Sequence, residues 1–348
     1  MRNQKQDSSY TLITKGLTML FVIGTVFSKI ACASSPENGG FWIIMSMLTP
    51  LFIGIDIVLL IVWMFLKHYR TSIVVTLAIV INLPYVFSMI QLRPEANTNK
   101  TSDFKIVTLN TFGFRKFPST KFAVEDIFHA MAAHNADIVC LQEYVESKDY
   151  PSDQIAKLFA EKLPYSTIEG SQAIFSRFPI SSHRYRLFEG GNNDYMVIDL
   201  KINGKPVRII SVHLQSTGIS AIQSHFQGMS NEIKFNQLIS SLEANGKYRA
   251  RQAREIRQIV DSTSIPTVIA GDFNDLPSSY TYHILKTKMK DGFKVAGHGF
   301  GSTFFPMHNL LRIDYIISNH ALKCISYSTL TEKLSDHKAV QASFRLAE

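Results

Sequence analysis

Between residues 104 and 348, five short apolar runs each end in, or carry, a side chain that buried strands normally exclude. Lys105–Asn110 closes on Asn110 and Asp137–Glu143 on Glu143. Lys205–Leu214 carries His213, Val268–Asp275 carries Asp272 and Asn274, and Arg312–Ile317 carries Asp314. An Asp336-His337 pair precedes the last run. Each has a plain reading alone: a strand-end surface acid for Glu143, a satisfied core histidine for His213, a salt-bridge partner for Asp314. A buried, unpaired carboxylate costs several kcal/mol. Repeating that cost at strand ends makes sense where the ends converge on a cation and an anion, and this constrains the fold more than any other feature.

The sharpest of the five is Val268-Ile269-Ala270-Gly271-Asp272-Phe273-Asn274-Asp275. An apolar run that stops at Gly, Asp and Asn reads as a buried strand delivering polar groups to its C-terminal edge. On an extended chain Asp272 and Asn274 point the same way, so one can position a water while the other holds a phosphate oxygen. Around it, Val124–His134 and Tyr248–Asp261 read as helices, and Gln172–Ile180 as a strand with a turn. Tyr195–Ile202 and Lys205–Leu214 form a hairpin closed by Asn203-Gly204. Leu214–Lys247 is a long insertion with Ile219, Ile222, Phe226 and Met229 among polar residues. It reads as a lid, a bilayer contact or an excursion packed on the domain. Gly297–Gly301 is a flexible loop without a phosphate-binding pattern.

The chain has 348 residues, enough for one large domain and an accessory region. Of its 36 Lys/Arg and 28 Asp/Glu, eight and four lie in residues 1–100, leaving 28 and 24 beyond. That mild excess is weak support for an anionic partner. The first hundred residues have a different character. Phe41–Leu66 and Ser72–Leu92 are each apolar and long enough to cross a bilayer, and Gly16–Ala33 is a weaker third, with Lys15 and Lys29 placed to snorkel. A signal peptide is the alternative for that first segment, but Lys29 spoils both a cleavage site and a lipid-attachment site at Cys32. The expected layout is a membrane region over 1–92 with two or three transmembrane helices (about 16–33, 41–66 and 72–92), a linker over 93–103, and a second domain over 104–348.

Arg2, Lys5 and Lys15 precede the first helix, and Lys67, His68 and Arg70 fill the loop between the second and third, whereas Ser34–Gly40 has no Lys or Arg. The positive-inside rule then makes the N-terminus and the 67–70 loop cytoplasmic and puts everything after Leu92 outside, as in a bacterial inner membrane. Asp56 and Asn82 fall at similar depth in an antiparallel helical hairpin and are expected to hydrogen-bond each other; an intramembrane carboxyl is otherwise a functional candidate. Pro50 and Pro84 are expected to kink their helices. Cys32, Cys140 and Cys324 are scattered and make no disulfide framework.

The series LNTFG, DIVCLQE, AIFSRFPI, SVHLQS, GDFND, RIDYI and SDH, in this order from Leu109 to His337, resembles the endonuclease/exonuclease/phosphatase superfamily. That group includes pancreatic-type deoxyribonucleases, abasic-site endonucleases, inositol polyphosphate 5-phosphatases and neutral sphingomyelinases. The resemblance covers about Phe104 to Glu348 and none of the membrane region. It implies an α/β (α+β) fold, a two-sheet β-sandwich flanked by helices, that cleaves phosphate esters with Mg²⁺ or Mn²⁺. Glu143 matches the main metal ligand, with Asn110 beside it, and Asp336 an acid near the metal. Asp272 matches the acid that orients or deprotonates the attacking water, and Asn274 a phosphate-positioning amide. Asp314 matches the carboxylate that orients the catalytic imidazole, here His337. His213 matches a second histidine, and with Asn110 and Asn274 would contact substrate. Many members carry an acid two residues after the Asn; here that residue is Phe112, which removes one metal ligand.

The sequence thus points to a membrane-anchored, metal-dependent phosphoesterase. Its substrate is a phosphodiester of nucleic acid or of a phospholipid headgroup, and no protein partner is implied. A catalytically silent scaffold on the same fold is the alternative, disfavoured by the joint presence of Glu143, Asp272, Asn274, His213 and His337. A membrane sensor or transporter component working through Asp56 is a third reading.

Overall fold

The computed structural model describes residues 2–94, 101–119, 121–217 and 230–347, with 2–10 described by backbone alone. In chain order the helices are α1 (Arg2–Ala31), α2 (Gly40–Met47), α3 (Thr49–Phe65), α4 (Tyr69–Ile81), α5 (Leu83–Met89), α6 (Val124–Ala133), α7 (Ser152–Ala160), α8 (Asn231–Asp261), α9 (Tyr280–Leu285) and α10 (Gly292–Ala296). The strands are β1 (Ile90–Gln91), β2 (Phe104–Asn110), β3 (Ile138–Gln142), β4 (Tyr165–Glu169), β5 (Gln172–Ser176), β6 (Ile180–Leu187), β7 (Asp194–Ile202), β8 (Lys205–His213), β9 (Thr267–Asp272), β10 (Lys290–Asp291), β11 (Gly299–Phe300), β12 (Asp314–Ser318), β13 (Leu322–Thr329) and β14 (Val340–Leu346). The chain divides into two compact units. One gathers Met1–Phe87, Gly218–Ala250 and Ser278–His283, and the other Ser88–Thr217, Arg251–Pro277 and Ile284–Glu348.

In the first unit, Thr11–Ala31 of α1 is by itself long and apolar enough to cross a membrane. The other two expected spans are broken: α2 and α3 meet at 49°, and α4 and α5 at 56°, so each pair reaches spanning length only jointly. Both breaks lie just before a proline, Pro50 and Pro84. Pro50 cannot donate to the carbonyl four residues back. That carbonyl, on Ser46, accepts instead from the hydroxyls of Thr49 at 2.8 Å and Ser278 at 2.7 Å. The expected Asp56–Asn82 hydrogen bond is not made. Both side chains turn to Thr25 of α1: the Thr25 hydroxyl donates to Asp56 Oδ2 at 2.5 Å, and Asn82 Nδ2 donates to the Thr25 carbonyl at 3.0 Å. Trp63, fully buried, likewise donates to Thr18 at 2.9 Å. The first helix is therefore the hub of the polar contacts.

The long insertion also differs from expectation. Helix α8 begins at Asn231, not at Tyr248, so residues 231–247 are helical; Ile219, Ile222, Phe226 and Met229 lie outside the described residues. The first half of α8 packs on α2, where a Cβ on Gly246 would lie 2.7 Å from Ile43 Cδ1.

The second unit holds two six-stranded sheets, ordered β10-β12-β9-β8-β7-β6 and β13-β14-β2-β3-β5-β4, and a small β1-β11 pair. The central strands β2, β3 and β5 of the second sheet are buried on both faces, and the sequences of β2 and β3 accordingly run almost continuously apolar. Ile106, Ile138, Cys140 and Ile174 face a core shared with Ile198, Ile209, Val268 and Ile316 of the first sheet. The alternate residues Val107, Leu109, Val139, Leu141 and Phe175 pack with Ile127 and Phe128 of α6 and Ile155 and Phe159 of α7. This is the expected sandwich with helical flanks. The Asn203-Gly204 turn has φ of 52° and 80°, as a two-residue hairpin turn requires. The unit begins at Ser88, five residues before the expected linker.

Candidate active site

The site is assembled by strand register. β8 and β9 run parallel with His213 beside Asp272, and β12 runs antiparallel to β9 with Asp314 opposite Asp272. In the other sheet β2 and β3 run parallel with Asn110 beside Gln142, so Glu143 follows at the strand end. Two parallel pairs, one per sheet, thus point their C-terminal ends at one mouth. Between β8 and β9 the approach at Gly271 is closer than any side chain permits. Its φ is 140°, and a Cβ there would lie 2.0 Å from the Val212 carbonyl oxygen. Glu143 and Asn274 leave their strands with φ of 51° and 50°, sharp turns in a sparsely populated region that cluster at functional sites.

Asn110 sits at the centre. Its Nδ2 donates to Glu143 Oε1 at 2.9 Å and to Asp272 Oδ2 at 3.1 Å, while its Oδ1 accepts from the Phe112 N–H at 3.0 Å. That last bond fixes the amide's orientation: Asn110 offers the carboxylates its N–H group. His213 Nε2 lies 3.6 Å from Glu143 Oε1 and 3.9 Å from Asp272 Oδ2. Asn274 grips Asp272 from its backbone N–H at 2.8 Å and its Nδ2 at 3.0 Å, and also donates to the Leu214 carbonyl at 2.9 Å. Asp314 accepts from His337 Nδ1 at 2.9 Å, which leaves Nε2 3.9 Å from Asp272 Oδ2 and 4.0 Å from Asp336 Oδ1. All eight candidate residues therefore meet in one place. Phe112, the departure noted in the sequence, is 38% exposed beside them.

Burial sets the charge states. It pushes the Asp272 carboxyl up to about 6, opposed by His337, while Asp314 adds to the push. Burial alone would lower the His337 imidazolium, but Asp314, Asp272 and Asp336 outweigh it and hold its pKa at about 10. Asp336 is raised by burial, against His337, with Glu143 and Asp314 also raising it. Asp272, Asp314 and Asp336 thus crowd around the His337 imidazole and raise one another, an excess of negative charge that a hard cation on oxygen ligands would relieve. Glu143, its side chain 37% exposed at the mouth, and Asp336, 15% exposed, are the acids able to hold that cation. Asp272, Asp314 and His337 also bring three ligand atoms within 4.8 Å of one another. The hydrogen bond between Asp314 and Nδ1 suits that trio better to orienting the imidazole than to ligation.

Several contributors have no signature in the sequence. Thr303 Oγ1 accepts from the N–H groups of Ile313 and Asp314 at 3.0 and 3.1 Å, and the Phe304 ring stands 4.9 Å from that of His337. A buried polar chain also crosses between the sheets. Gln142 Nε2 donates to Ser211 Oγ at 2.9 Å, Ser211 donates to Gln172 Oε1 at 2.6 Å, and Gln172 Nε2 donates to Asp194 at 2.9 Å. Beneath β12, Arg312 is fully buried. It donates to Asp291 through Nη1 at 2.8 Å and Nη2 at 2.6 Å, and to the Ser88 carbonyl at 2.9 Å. Its guanidinium lies 4.7 Å from the Phe293 ring and 4.6 Å from that of Tyr315.

A profile described as the Endonuclease/Exonuclease/phosphatase family matches residues 107–337. The uncharacterized protein YbhP of Escherichia coli K12 is 24% identical over 271 residues, covering 70% of this chain and 96% of that protein. An endonuclease/exonuclease/phosphatase structure from Beutenbergia cavernae superposes with a TM-score of 0.52 at 17% identity, covering 71% of this chain and 72% of that one. A Staphylococcus aureus beta toxin mutant with bound magnesium ions gives 0.50 at 19% identity, covering 70% of this chain and 99% of the toxin. At these identities the structural likeness carries the fold.

Proposed function

The chain belongs to the endonuclease/exonuclease/phosphatase family, and we propose that within it the protein is a membrane-anchored, divalent-metal-dependent phosphodiesterase. The observation that carries this reading is the convergence of Asp272, Asn110, Glu143 and His213 beside the Asp314–His337 pair. A Mg²⁺ or Mn²⁺ ion held by Glu143 and Asp336, with Asn110 alongside, would act as a Lewis acid on a phosphoryl oxygen. Asp272 takes a proton from a water aligned opposite the leaving oxygen. Water oxygen bonds to phosphorus, one ester P–O bond breaks, and a phosphate monoester and an alcohol result. His337, kept protonated by Asp314, and His213 donate to oxygens on which charge builds. Asn274 steadies both Asp272 and the phosphate. The intact site counts against a silent scaffold.

The deciding experiment uses the full chain purified in detergent with bis-p-nitrophenyl phosphate, plasmid DNA, RNA and phospholipid vesicles. Turnover is expected with Mg²⁺ or Mn²⁺, to vanish in EDTA, and to fall about 10²-fold or more in Glu143→Ala. Chelator-resistant turnover would sink the metal reading. The pH profile is a second check. Asp272 is active as a base when ionised, above about 6, and His337 as a donor when protonated, below about 10. Activity should rise through the first value and fall through the second. In Asp314→Asn the alkaline limb should move down by about 1–3 units, since the largest charge raising His337 is gone. An unmoved limb would show that His337 is not the group titrating there.

Three spans, with the N-terminus and the Lys67–Arg70 loop cytoplasmic and the catalytic unit outside, fit the charge asymmetry around the apolar segments. Alkaline phosphatase, which needs an oxidising compartment, should be active when fused after Glu348 and silent when fused at Lys67. The reverse pattern would invert the topology.

A further inference from the structure

Between the apolar core of the sandwich and its reactive mouth lies a band of buried polar side chains that take no part in the hydrolysis. On the inner faces of five strands, Ile106, Cys140, Ile174, Met196 and Ile209 belong to the core. Two residues nearer the mouth on the same faces stand Thr108, Gln142, Gln172, Asp194 and Ser211. None of them is more than 1% exposed. Beyond this band β2, β3 and β8 deliver Asn110, Glu143 and His213 to the site.

The hydrogen bonds of the band can run in one sense only. Asp194, as a carboxylate, accepts and does not donate. It takes the Ser171 N–H at 3.0 Å, the Tyr185 hydroxyl at 3.0 Å and Gln172 Nε2 at 2.9 Å. Gln172 must then turn Oε1 toward Ser211, whose hydroxyl donates to it at 2.6 Å. The Ser211 oxygen in turn accepts from Gln142 Nε2 at 2.9 Å, and Gln142 Oε1 accepts from the Thr108 hydroxyl at 3.2 Å. The bonds Gln142–Ser211, Ser211–Gln172 and Gln172–Asp194 each cross from one sheet to the other.

Apolar packing has no direction, so it alone leaves one sheet able to slide on the other, whereas a hydrogen bond fixes both length and angle. The site needs that register, because it is itself split between the sheets. Asn110 Nδ2 reaches across to Asp272 at 3.1 Å, and His213 Nε2 lies 3.6 Å from Glu143. A slide of about 1 Å would part groups that must act together. Apolar side chains would fill the same space without the desolvation cost of amides and a carboxylate. We propose that Gln142, Ser211 and Gln172 are positioning residues, which lock the two sheets so that Glu143 and the cation it would hold face Asp272 and His213. This rests on the metal-dependent phosphodiesterase reading.

The test uses the full chain purified in detergent. Electron paramagnetic resonance of free Mn²⁺ gives the metal affinity, bis-p-nitrophenyl phosphate gives turnover, and thermal melting reports the fold. Ser211→Ala removes the two central bonds. Gln142→Met/Ser211→Ala/Gln172→Met goes further and leaves none of the three side chains with an unpaired buried polar group, so it is expected to melt within about 3 °C of wild type. In both variants Mn²⁺ binding should weaken about tenfold and kcat fall about tenfold or more. Ile198→Ala, in the core below the band, should lower the melting temperature yet bind Mn²⁺ within about twofold of wild type below its melt. Wild-type Mn²⁺ affinity and kcat in the triple variant would overturn the proposal. So would an equal loss of Mn²⁺ affinity in Ile198→Ala, which would make the band ordinary support for the core. A wild-type protein that neither binds Mn²⁺ nor cleaves the ester would instead remove the phosphodiesterase reading, and this inference with it.

Discussion

Asp272→Asn is expected to lower kcat by about 10²–10⁴-fold while the protein stays folded. Asparagine keeps the shape of the side chain and one acceptor for Asn110 and Asn274, which now grip Asp272 at 2.8 to 3.1 Å. It cannot take a proton from water. The same change removes a charge that raises His337, so the alkaline limb of any residual activity should move down as well. Single-turnover kinetics on a soluble phosphodiester, with the circular dichroism spectrum as a folding control, would measure both. A variant within tenfold of wild type would strip Asp272 of the base role and leave the imidazoles as the remaining candidates.

The largest effect on stability is expected from Arg312→Ala. Arg312 and Asp291 have no exposed side-chain surface, and the guanidinium is enclosed by aromatic rings. Removing one partner strands the other charge, at a cost of about 3–5 kcal/mol. For a unit of this size that is roughly 10 °C in the temperature of half-inactivation. Replacing both together, Arg312→Met with Asp291→Leu, should cost far less, because no charge is then left buried. The contrast between single and double variants is the informative quantity. If the single variant inactivated within about 2 °C of wild type, water would be reaching the stranded Asp291 and the pair would not be a main source of stability.

The parts of this architecture that could be read from sequence are those fixed by local rules. Strands β2, β3, β8 and β9 announced themselves because burial on both faces demands unbroken apolar runs, and Asn203-Gly204 because few residue pairs accept two positive φ values. The candidate site residues were legible as a group, since each interrupts an apolar run where solvation would be lost. What stayed hidden depends on rotation and distant partners. Asp56 and Asn82 were correctly matched in depth, yet depth does not say which way a helix turns its side chains, and both found Thr25. The start of α8 was obscured by Gly246, a poor helix former whose value lies in its packing against Ile43 of a helix some two hundred residues earlier. Arg312 stood in the sequence only as the first residue of the run that carries Asp314; its partner Asp291 comes from β10, the strand paired with β12.

Gly271 has a consequence for how this protein tolerates variation. It has no side chain to offer the reaction, yet any side chain there would press on the Val212 carbonyl and prise β8 from β9. His213 and Asp272 are neighbours only because those strands are close. A genetic screen for loss of function should therefore recover changes at Gly271 as readily as at Asp272, and second-site suppressors should not restore them. The reactive geometry is inherited through a hydrogen atom where every other residue would carry a carbon.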